Sequence, residues 1–242
     1  MKALLGQYRS ELTLSLRNGE QLLVNLFIPV GILVFFSKVQ VFNSQSAKTI
    51  DVLAPSVLGL AVMSTALVSL GIGTGFERFY GVLKRLGTTP LGRPRWVAAK
   101  FLTVLTIEVG QWAVLIPAAL ALGWHPANHW PAAIGATLLA TFAFGGLGLL
   151  LAGTLPGMLN LAVCNGLYLA LMVTGDMIIN LKEMPQGLQA IARALPAAPL
   201  ADLMICSLAS GAAHHANASS WPVLGAWAVG CPLLAAWRFH WD

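Results

Sequence analysis

The chain has 242 residues, of which 57% are hydrophobic and only 10% are charged, and its mean hydropathy is +0.75. An ordinary soluble domain carries roughly 25% charged residues, so this composition argues against a soluble globular protein and favours a protein of the lipid bilayer. The net charge of +5 would suggest nucleic acid as the partner of a soluble protein, but in a membrane protein its distribution along the chain matters more, and we expect no nucleic-acid partner.

Residues 1–20 predict an amphipathic helix that lies in the membrane interface. Arg9 and Arg17 lie to one side of its helical wheel, while Glu11 and Ser15 intrude on its apolar side. The apolar side is formed by Leu4, Leu5, Tyr8, Leu12 and Leu16. A simple extension of the first membrane span is the alternative. The charged residues make the segment too polar for a cleaved signal peptide, so we expect none.

Six apolar segments are each long enough to cross a bilayer. Runs without Asp, Glu, Lys or Arg extend over 52–76, 109–175 and 203–237, and a spanning helix needs only about 20 predominantly apolar residues. The predicted spans are 21–42, 52–76, 96–122, 131–152, 158–180 and 221–238. The expected fold class is all-α, a polytopic membrane protein with residues 1–242 in a single transmembrane domain.

The distribution of Lys and Arg between alternate sides of the bilayer sets the expected orientation. Ten of these residues fall on the side of the N-terminus and four on the other side. Because cytoplasmic loops of membrane proteins are rich in Lys and Arg, both termini are predicted to be cytoplasmic, which requires an even number of spans.

The connection between the second and third spans, ERFYGVLKRLGTTPLGRPRW at 77–96, holds six of the fourteen Lys and Arg when the count extends to Lys100. A helix that begins at Glu77 and ends near Gly87 has its charged residues opposite one apolar arc. That arc contains Phe79, Val82, Leu83 and Leu86. Gly81 lies in the polar face, where a glycine weakens an exposed helix by about 1 kcal/mol relative to Ala. A glycine at this position is explained if another protein approaches the polar face closely. A solvated basic loop is the alternative.

Three polar residues lie at or near membrane depth, where ionisable side chains are costly and usually face a cavity or a partner. Glu108 and Gln111 fall inside the third span and Asp176 near the outer end of the fifth. We predict that they line a substrate path. The alternatives are an interhelical hydrogen bond for Glu108 and an interfacial position close to Lys182 for Asp176.

Neither the histidines nor the cysteines predict a metal site. His125 and His129 are four residues apart, but Pro126 intervenes and no carboxylate or cysteine completes a ligand set. His214 and His215 are interpreted in the same way, and Cys164, Cys206 and Cys231 lack C-x-x-C spacing. The glycines of the fourth span are expected to permit close helix packing. They are Gly145, Gly146, Gly148 and Gly153.

Residues 181–210 predict two short helices that enter the outer face of the membrane without crossing it. Leu188, Ile191 and Leu195 recur at helical spacing, and Pro196 and Pro199 then break the helix. A seventh and an eighth span are the alternative, but each piece is shorter than about 17 residues.

Three segments resemble the ABC type-2 exporter permeases, especially the daunorubicin-resistance-like antibiotic exporters of bacteria. GFERFYGVLKRLGTTPLGRPRWVAAKFL resembles the E-R-x-x-G-x-x-(K/R)-x-L-x-x-T-P-(L/V) signature between their second and third helices. LRNGEQLLVNLFIPVGILVFF resembles the start of their first helix, and LAPSVLGLAVMSTALVSLG resembles their second helix. The resemblance extends over essentially the whole chain, in order.

The resemblance implies the membrane permease subunit of an ATP-driven exporter in the bacterial inner membrane, which moves a hydrophobic or amphipathic, drug-like compound outward. Residues 77–93 would form a cytoplasmic coupling helix that docks on a separate ATPase subunit. The contact residues it implies are Glu77, Arg78, Gly81, Lys84, Arg85, Thr88 and Thr89. Two ATPase subunits and a second permease, identical or related, would complete the transporter.

The chain contains no G-x-x-x-x-G-K-(S/T) phosphate loop. We therefore expect ATP and Mg²⁺ to bind to the partner subunit, with no cofactor and no catalytic activity in this chain. An ATP-independent carrier or channel is the main alternative, and an intramembrane enzyme that uses His125, His129 or Asp176 is another. Export of a lipid, a glycan or a peptide is the alternative for the cargo.

Overall fold

The computed structural model describes residues 2–38, 49–89, 91–177, 185–210 and 216–239. Within these ranges the chain is helical and contains no strand, which confirms the all-α prediction. The helices are α1 (Lys2–Arg17), α2 (Gly19–Lys38), α3 (Thr49–Met63), a π-helical segment (Ser64–Ser69), α4 (Leu70–Phe79), α5 (Val82–Gly87), α6 (Arg93–Ala121), α7 (Trp130–Thr154), α8 (Gly157–Thr174), α9 (Gln186–Ala194), α10 (Ala197–Leu208) and α11 (Ser220–Arg238).

Five continuous helices in the described residues are long and apolar enough to cross a membrane. They are Ile50–Phe79, Arg93–Ala121, Trp130–Thr154, Gly157–Thr174 and Ser220–Arg238. They correspond to the second to sixth predicted spans, except that α8 ends at Thr174, before the predicted end of the fifth span at residue 180. The first predicted span falls on α2, whose apolar part, Asn25–Ser37, is shorter. The predicted end of that span at residue 42 lies outside the described residues. The first of the five helices consists of α3, the π-helical segment and α4, and it is the most buried.

Contacts between the helix termini show which termini lie together. We call the end of the bundle that carries Arg78 and Lys100 the basic end and the other end the opposite end. At the basic end, the Arg78 guanidinium donates to the carbonyl of Ala152 at 3.2 Å, and the Phe239 ring lies 5.7 Å from that of Trp96. At the opposite end, the His125 amide donates to Asp51 Oδ1 at 3.2 Å. The ends of successive long helices therefore alternate between the two ends of the bundle, as the predicted topology requires.

Helices α9 and α10 form a sharply bent pair, with an angle of 82° between them. A Cβ atom at Gly175, just after α8, would lie 2.7 Å from Ala197 at the start of α10. The end of α10 is also at the opposite end, because the Ala127 amide donates to the Leu208 carbonyl at 3.0 Å. Helix α10 thus begins and ends at the same end of the bundle, which is the geometry of a re-entrant helix rather than of a span. Residues 181–184 of the predicted segment lie outside the described residues.

Glycines of α7 allow two neighbouring helices to approach its backbone. A Cβ atom at Gly146 would lie 2.5 Å from the ring nitrogen of Pro232 in α11. One at Gly148 would lie 2.9 Å from the Leu67 carbonyl oxygen in the π-helical segment. Real Cβ atoms do not approach backbone this closely, so a side chain at either position would force the helices apart. The predicted packing role of these glycines is confirmed.

Candidate functional site

The connection between α4 and α6 is built differently from the helix that the sequence predicts. The membrane helix continues through Phe79, and the chain then turns at Gly81, which has a φ of +71°. Helix α5 is only Val82–Gly87. The prediction of one coupling helix over 77–93 is therefore wrong in its bounds. Gly81 allows this left-handed turn, which is strained for residues that have a side chain. No described part of the chain packs closely against it, because a Cβ atom there would meet nothing within 4 Å.

Helix α5 is attached to the bundle by one side. Leu83 is completely buried and Leu86 is half-buried, whereas Phe79 and Val82, which belong to the same predicted arc, are 63% and 39% exposed. Four polar residues of the predicted contact set lie on α5 or just after it, and their side chains face outward. We call these four residues, Lys84, Arg85, Thr88 and Thr89, the loop surface; all are exposed.

The two threonines of the loop surface end α5. Thr88 Oγ1 donates to the Arg85 carbonyl at 2.8 Å, and Thr89 Oγ1 donates to the Leu86 carbonyl at 2.6 Å. Each of these carbonyls also accepts from the backbone amide of the same threonine, at 3.3 and 3.0 Å, so the two threonines close the last turn of the helix. The turn at Gly81 and these caps give the short helix fixed limits on both sides.

Glu77 points into the bundle, away from the loop surface. Lys100 Nζ on α6 lies 2.5 Å from Glu77 Oε1 and 2.8 Å from Glu11 Oε2 on α1. The side chains of Lys100 and Glu11 are 6% and 9% exposed. We call these three residues the charged triad. It joins α1, the end of α4 and the start of α6 by buried ion pairs, whose strength depends on all charges remaining paired.

Arg78 also bonds within the chain. Its guanidinium donates to the carbonyls of Ala152 and Leu155, at 3.2 and 3.4 Å, where α7 ends. A cation at a helix C-terminus interacts favourably with the helix dipole and with carbonyls that have no partner in the helix. Arg78 therefore connects α4 to α7.

A polar cleft opens between α1, α2, α4 and α6. Its volume is about 180 Å³, and the charged triad lines it at the basic end. Further along, Asn25 of α2 and Thr65 and Ser69 of the π-helical segment line it as well. Asn25 Nδ2 donates to Ser69 Oγ, and Thr65 Oγ1 donates to Gln111 Oε1 at 2.9 Å. The π-helical segment thus faces the polar side of the bundle, as π-helical turns often do at functional sites.

The three residues of the predicted substrate path lie in different surroundings. Gln111 joins the polar network beside the cleft, because its amide also donates to the Asn25 carbonyl at 3.2 Å. Glu108 is buried between α6 and α7, where Thr141 Oγ1 donates to its Oε2 at 2.8 Å. Asp176 follows α8 with a φ of +58° and is half-buried. Lys182, its predicted neighbour, lies outside the described residues.

The sequence profile of the ABC-2 type transporter family matches residues 7–208. This match covers well over half of the 242 residues. The chain belongs to the ABC-2 type transporter family. It is a multi-pass membrane protein and the permease subunit of an ABC transporter, a class of subunit that is generally not catalytic and that works with ABC ATPase subunits. No curated protein matches the chain.

The histidines of the permease do not form a metal site in the described part of the chain. No group of three or more His, Cys, Asp or Glu there has the arrangement of a metal site. The ring Nδ1 of His125 lies 2.9 Å from the Gly123 carbonyl, within a loop at the opposite end. His214 and His215 lie outside the described residues.

Sequence reasoning did not assign the charged triad or the cleft of this permease. In the sequence, Glu11 and Ser15 stand out only as two polar residues on the apolar side of an amphipathic helix. Both line the cleft. A polar residue on the apolar side of an amphipathic helix is therefore the signal that indicates this site.

Proposed function

We propose that this permease is the membrane subunit of an exporter that moves a hydrophobic or amphipathic, drug-like compound outward, with energy from a separate ATPase subunit. The observation that carries the proposal is the loop surface. It presents cations and hydroxyls outward on a short helix that is anchored in the bundle by Leu83, which is 0% exposed. ATP and Mg²⁺ would bind to the ATPase subunit.

The chemistry of the loop surface fits a protein partner with acidic groups. Lys84 and Arg85 are exposed and form no ion pair with the described residues. Charged groups across an interface fix its register and accelerate association, and an Arg–carboxylate pair can form two parallel hydrogen bonds. The exposed Phe79 and Val82 beside them add apolar area to the same surface.

Movement of α5 can be passed on through rigid connections. The turn at Gly81 joins α5 to the long helix Ile50–Phe79, and Arg78 connects that helix to α7. ATP binding would bring the ATPase subunits together and displace α5, and the paired permeases would then alternate between two openings. Two ATPase subunits and a second permease, identical or related, are needed for such a cycle.

The proposed location is the bacterial inner membrane, with the loop surface and both termini in the cytoplasm. The ten-to-four distribution of Lys and Arg supports this orientation. It also places the loop surface where a cytoplasmic ATPase subunit can reach it.

Copurification tests the partner. The tagged permease, extracted with its native lipids, should retain in near-equal amount a subunit that carries the G-x-x-x-x-G-K-(S/T) motif. Arg85→Glu should release that subunit because it reverses a charge on the loop surface. The matched control is Arg193→Glu, an exposed reversal on α9 at the opposite end, which should retain it.

Two results would contradict the proposal: recovery of the permease without a nucleotide-binding subunit, or equal loss of the subunit in both variants. An ATP-independent carrier predicts, in addition, that transport persists when the loop surface is scrambled. Measuring uptake of a lipophilic dye into inverted vesicles, with and without ATP, separates that carrier from the proposed exporter.

A further inference from the structure

The polar cleft is lined by one more carboxyl group than ammonium groups. Of the charged side chains that line it among the described residues, Glu11 and Glu77 are acidic and Lys100 is basic. One ammonium group therefore serves two carboxylates. In a medium of low polarity such an excess charge is costly, and a cation that enters the cleft would offset it.

Two acceptor atoms in the cleft have no hydrogen-bond partner in the described structure. They are Glu77 Oε2 and Thr74 Oγ1, both buried and about one turn apart on α4. Thr74 is 0% exposed and lines the cleft. Buried polar atoms are normally hydrogen-bonded, so an unpartnered carboxylate oxygen and an unpartnered hydroxyl on the same stretch of α4 indicate a ligand that donates hydrogen bonds.

The size of the cleft favours an organic ligand over a single ion. A volume of about 180 Å³ is several times the roughly 30 Å³ that one water molecule occupies in the liquid. The wall also contains apolar side chains, among them Leu14, Val104 and Ile107. Leu14 is exposed, so the cleft can be reached from the surface of the bundle.

We propose that the polar cleft binds the primary ammonium group of an amphipathic compound. The ammonium would donate to Glu77 Oε2 and Thr74 Oγ1, and the apolar part of the compound would lie along Leu14, Val104 and Ile107. An anion would be repelled by the excess carboxylate, and a neutral group would leave that charge uncompensated. That the bound compound is also the transported cargo rests on the function proposed above.

A matched pair of probes tests the site directly. Dansylcadaverine carries a primary ammonium at neutral pH, since alkyl amines of the lysine type have a pKa of about 10. Its N-acetyl derivative has the same dansyl group and chain but no charge. With the purified full-length permease in lipid nanodiscs, and binding to empty nanodiscs subtracted, the ammonium probe should bind at least about tenfold more tightly.

Glu77→Gln should reduce this preference to within about twofold, because it removes the excess charge and the free carboxylate oxygen. The variant leaves Lys100 paired with Glu11, so the buried ammonium of the protein keeps a partner. Thr74→Val, which is nearly isosteric, should weaken only the ammonium probe, by about threefold. The matched control is Asp51→Asn, which removes the same charge from a buried carboxylate at the opposite end and should leave the preference unchanged.

Equal binding of the two probes to the unaltered permease would overturn the inference, as would an undiminished preference in Glu77→Gln or an equal loss in Asp51→Asn. Failure of the proposed function is distinguishable from these results. If the preference is present but no ATPase subunit copurifies, the ammonium site is retained and the exporter is rejected. If the ATPase subunit copurifies and no preference is found, only the ammonium site is rejected.

Discussion

The contact between α7 and α11 and the contact among α1, α4 and α6 have opposite chemistry. In the first, Gly146 lies against Pro232, and small residues allow the two backbones to touch. In the second, Lys100 holds two carboxylates beside a cleft of about 180 Å³. The first contact therefore depends on close packing, and the second depends on the pairing of buried charges.

The largest effect is expected from Lys100→Met. This change leaves Glu11 and Glu77 buried near each other without a cation, and removal of one partner from a buried ion pair costs about 3–5 kcal/mol. The free energy of unfolding in mixed SDS–detergent micelles should fall by that amount. Glu77→Gln is the matched variant and should cost clearly less, because one ion pair remains. Equal losses would show that the triad does not act through paired charge.

Gly146→Val should have the next largest effect. The new side chain would collide with Pro232, and overpacking of a tight contact costs typically about 1–3 kcal/mol. The same unfolding measurement applies. Gly110→Val is the control, because a Cβ atom at Gly110 meets nothing within 4 Å. If the control loses as much stability as Gly146→Val, the α7–α11 contact is not set by its glycine.

Gly81→Ala should cost about 1–2 kcal/mol, the strain of a left-handed conformation in a residue with a Cβ atom. Because the strain falls on the turn before α5, this variant should also weaken retention of the ATPase subunit in copurification. Gly6→Ala in α1, an open and regular helical position, is the control: it should not lower the stability, because Ala favours a helix over Gly by about 0.5–1 kcal/mol, and it should leave retention of the ATPase subunit unchanged. Unchanged stability of Gly81→Ala would mean that the turn relaxes without cost.

The smallest structural effect is expected from two single-cysteine variants. They test which end of the bundle lies on which side of the membrane. Lys84→Cys and Arg193→Cys change exposed residues and should leave the unfolding temperature unchanged. In a Cys206→Ser background, a membrane-impermeant maleimide should label Lys84→Cys in inverted vesicles and Arg193→Cys in right-side-out vesicles. The reverse pattern would place the loop surface outside the cell and reject the proposed function.

The spans could be predicted from the sequence because each depends on local composition. Trp130–Thr154 and Gly157–Thr174 are continuous apolar runs, and no distant contact is needed to recognise them. The packing role of Gly146 was predictable for another reason: small residues in a membrane helix permit close contact with a neighbouring helix, although the sequence did not name Pro232 as the neighbour. In lipid a helix satisfies its own backbone hydrogen bonds, so an apolar run long enough to span the bilayer is expected to be helical wherever it occurs.

The bounds of α5 could not be predicted, because periodicity does not report a left-handed turn. Residues 77–86 have a helical pattern throughout, yet Gly81 interrupts it and separates Glu77 from Lys84. The charged triad was also beyond the sequence, since Glu11 and Lys100 are 89 residues apart. Only the three-dimensional packing of α1 on α6 brings them together.

The π-helical segment at Ser64–Ser69 has a consequence for the residues beyond it. A π turn holds one more residue than an α turn, and each residue of an α-helix advances the side-chain direction by about 100°. The segment therefore sets the angular phase of α4 relative to α3, and a uniform helix of the same length would aim Glu77 about a quarter-turn away from Lys100. That one wide turn within Ile50–Phe79 therefore determines whether Glu77, near the end of the helix, meets Lys100.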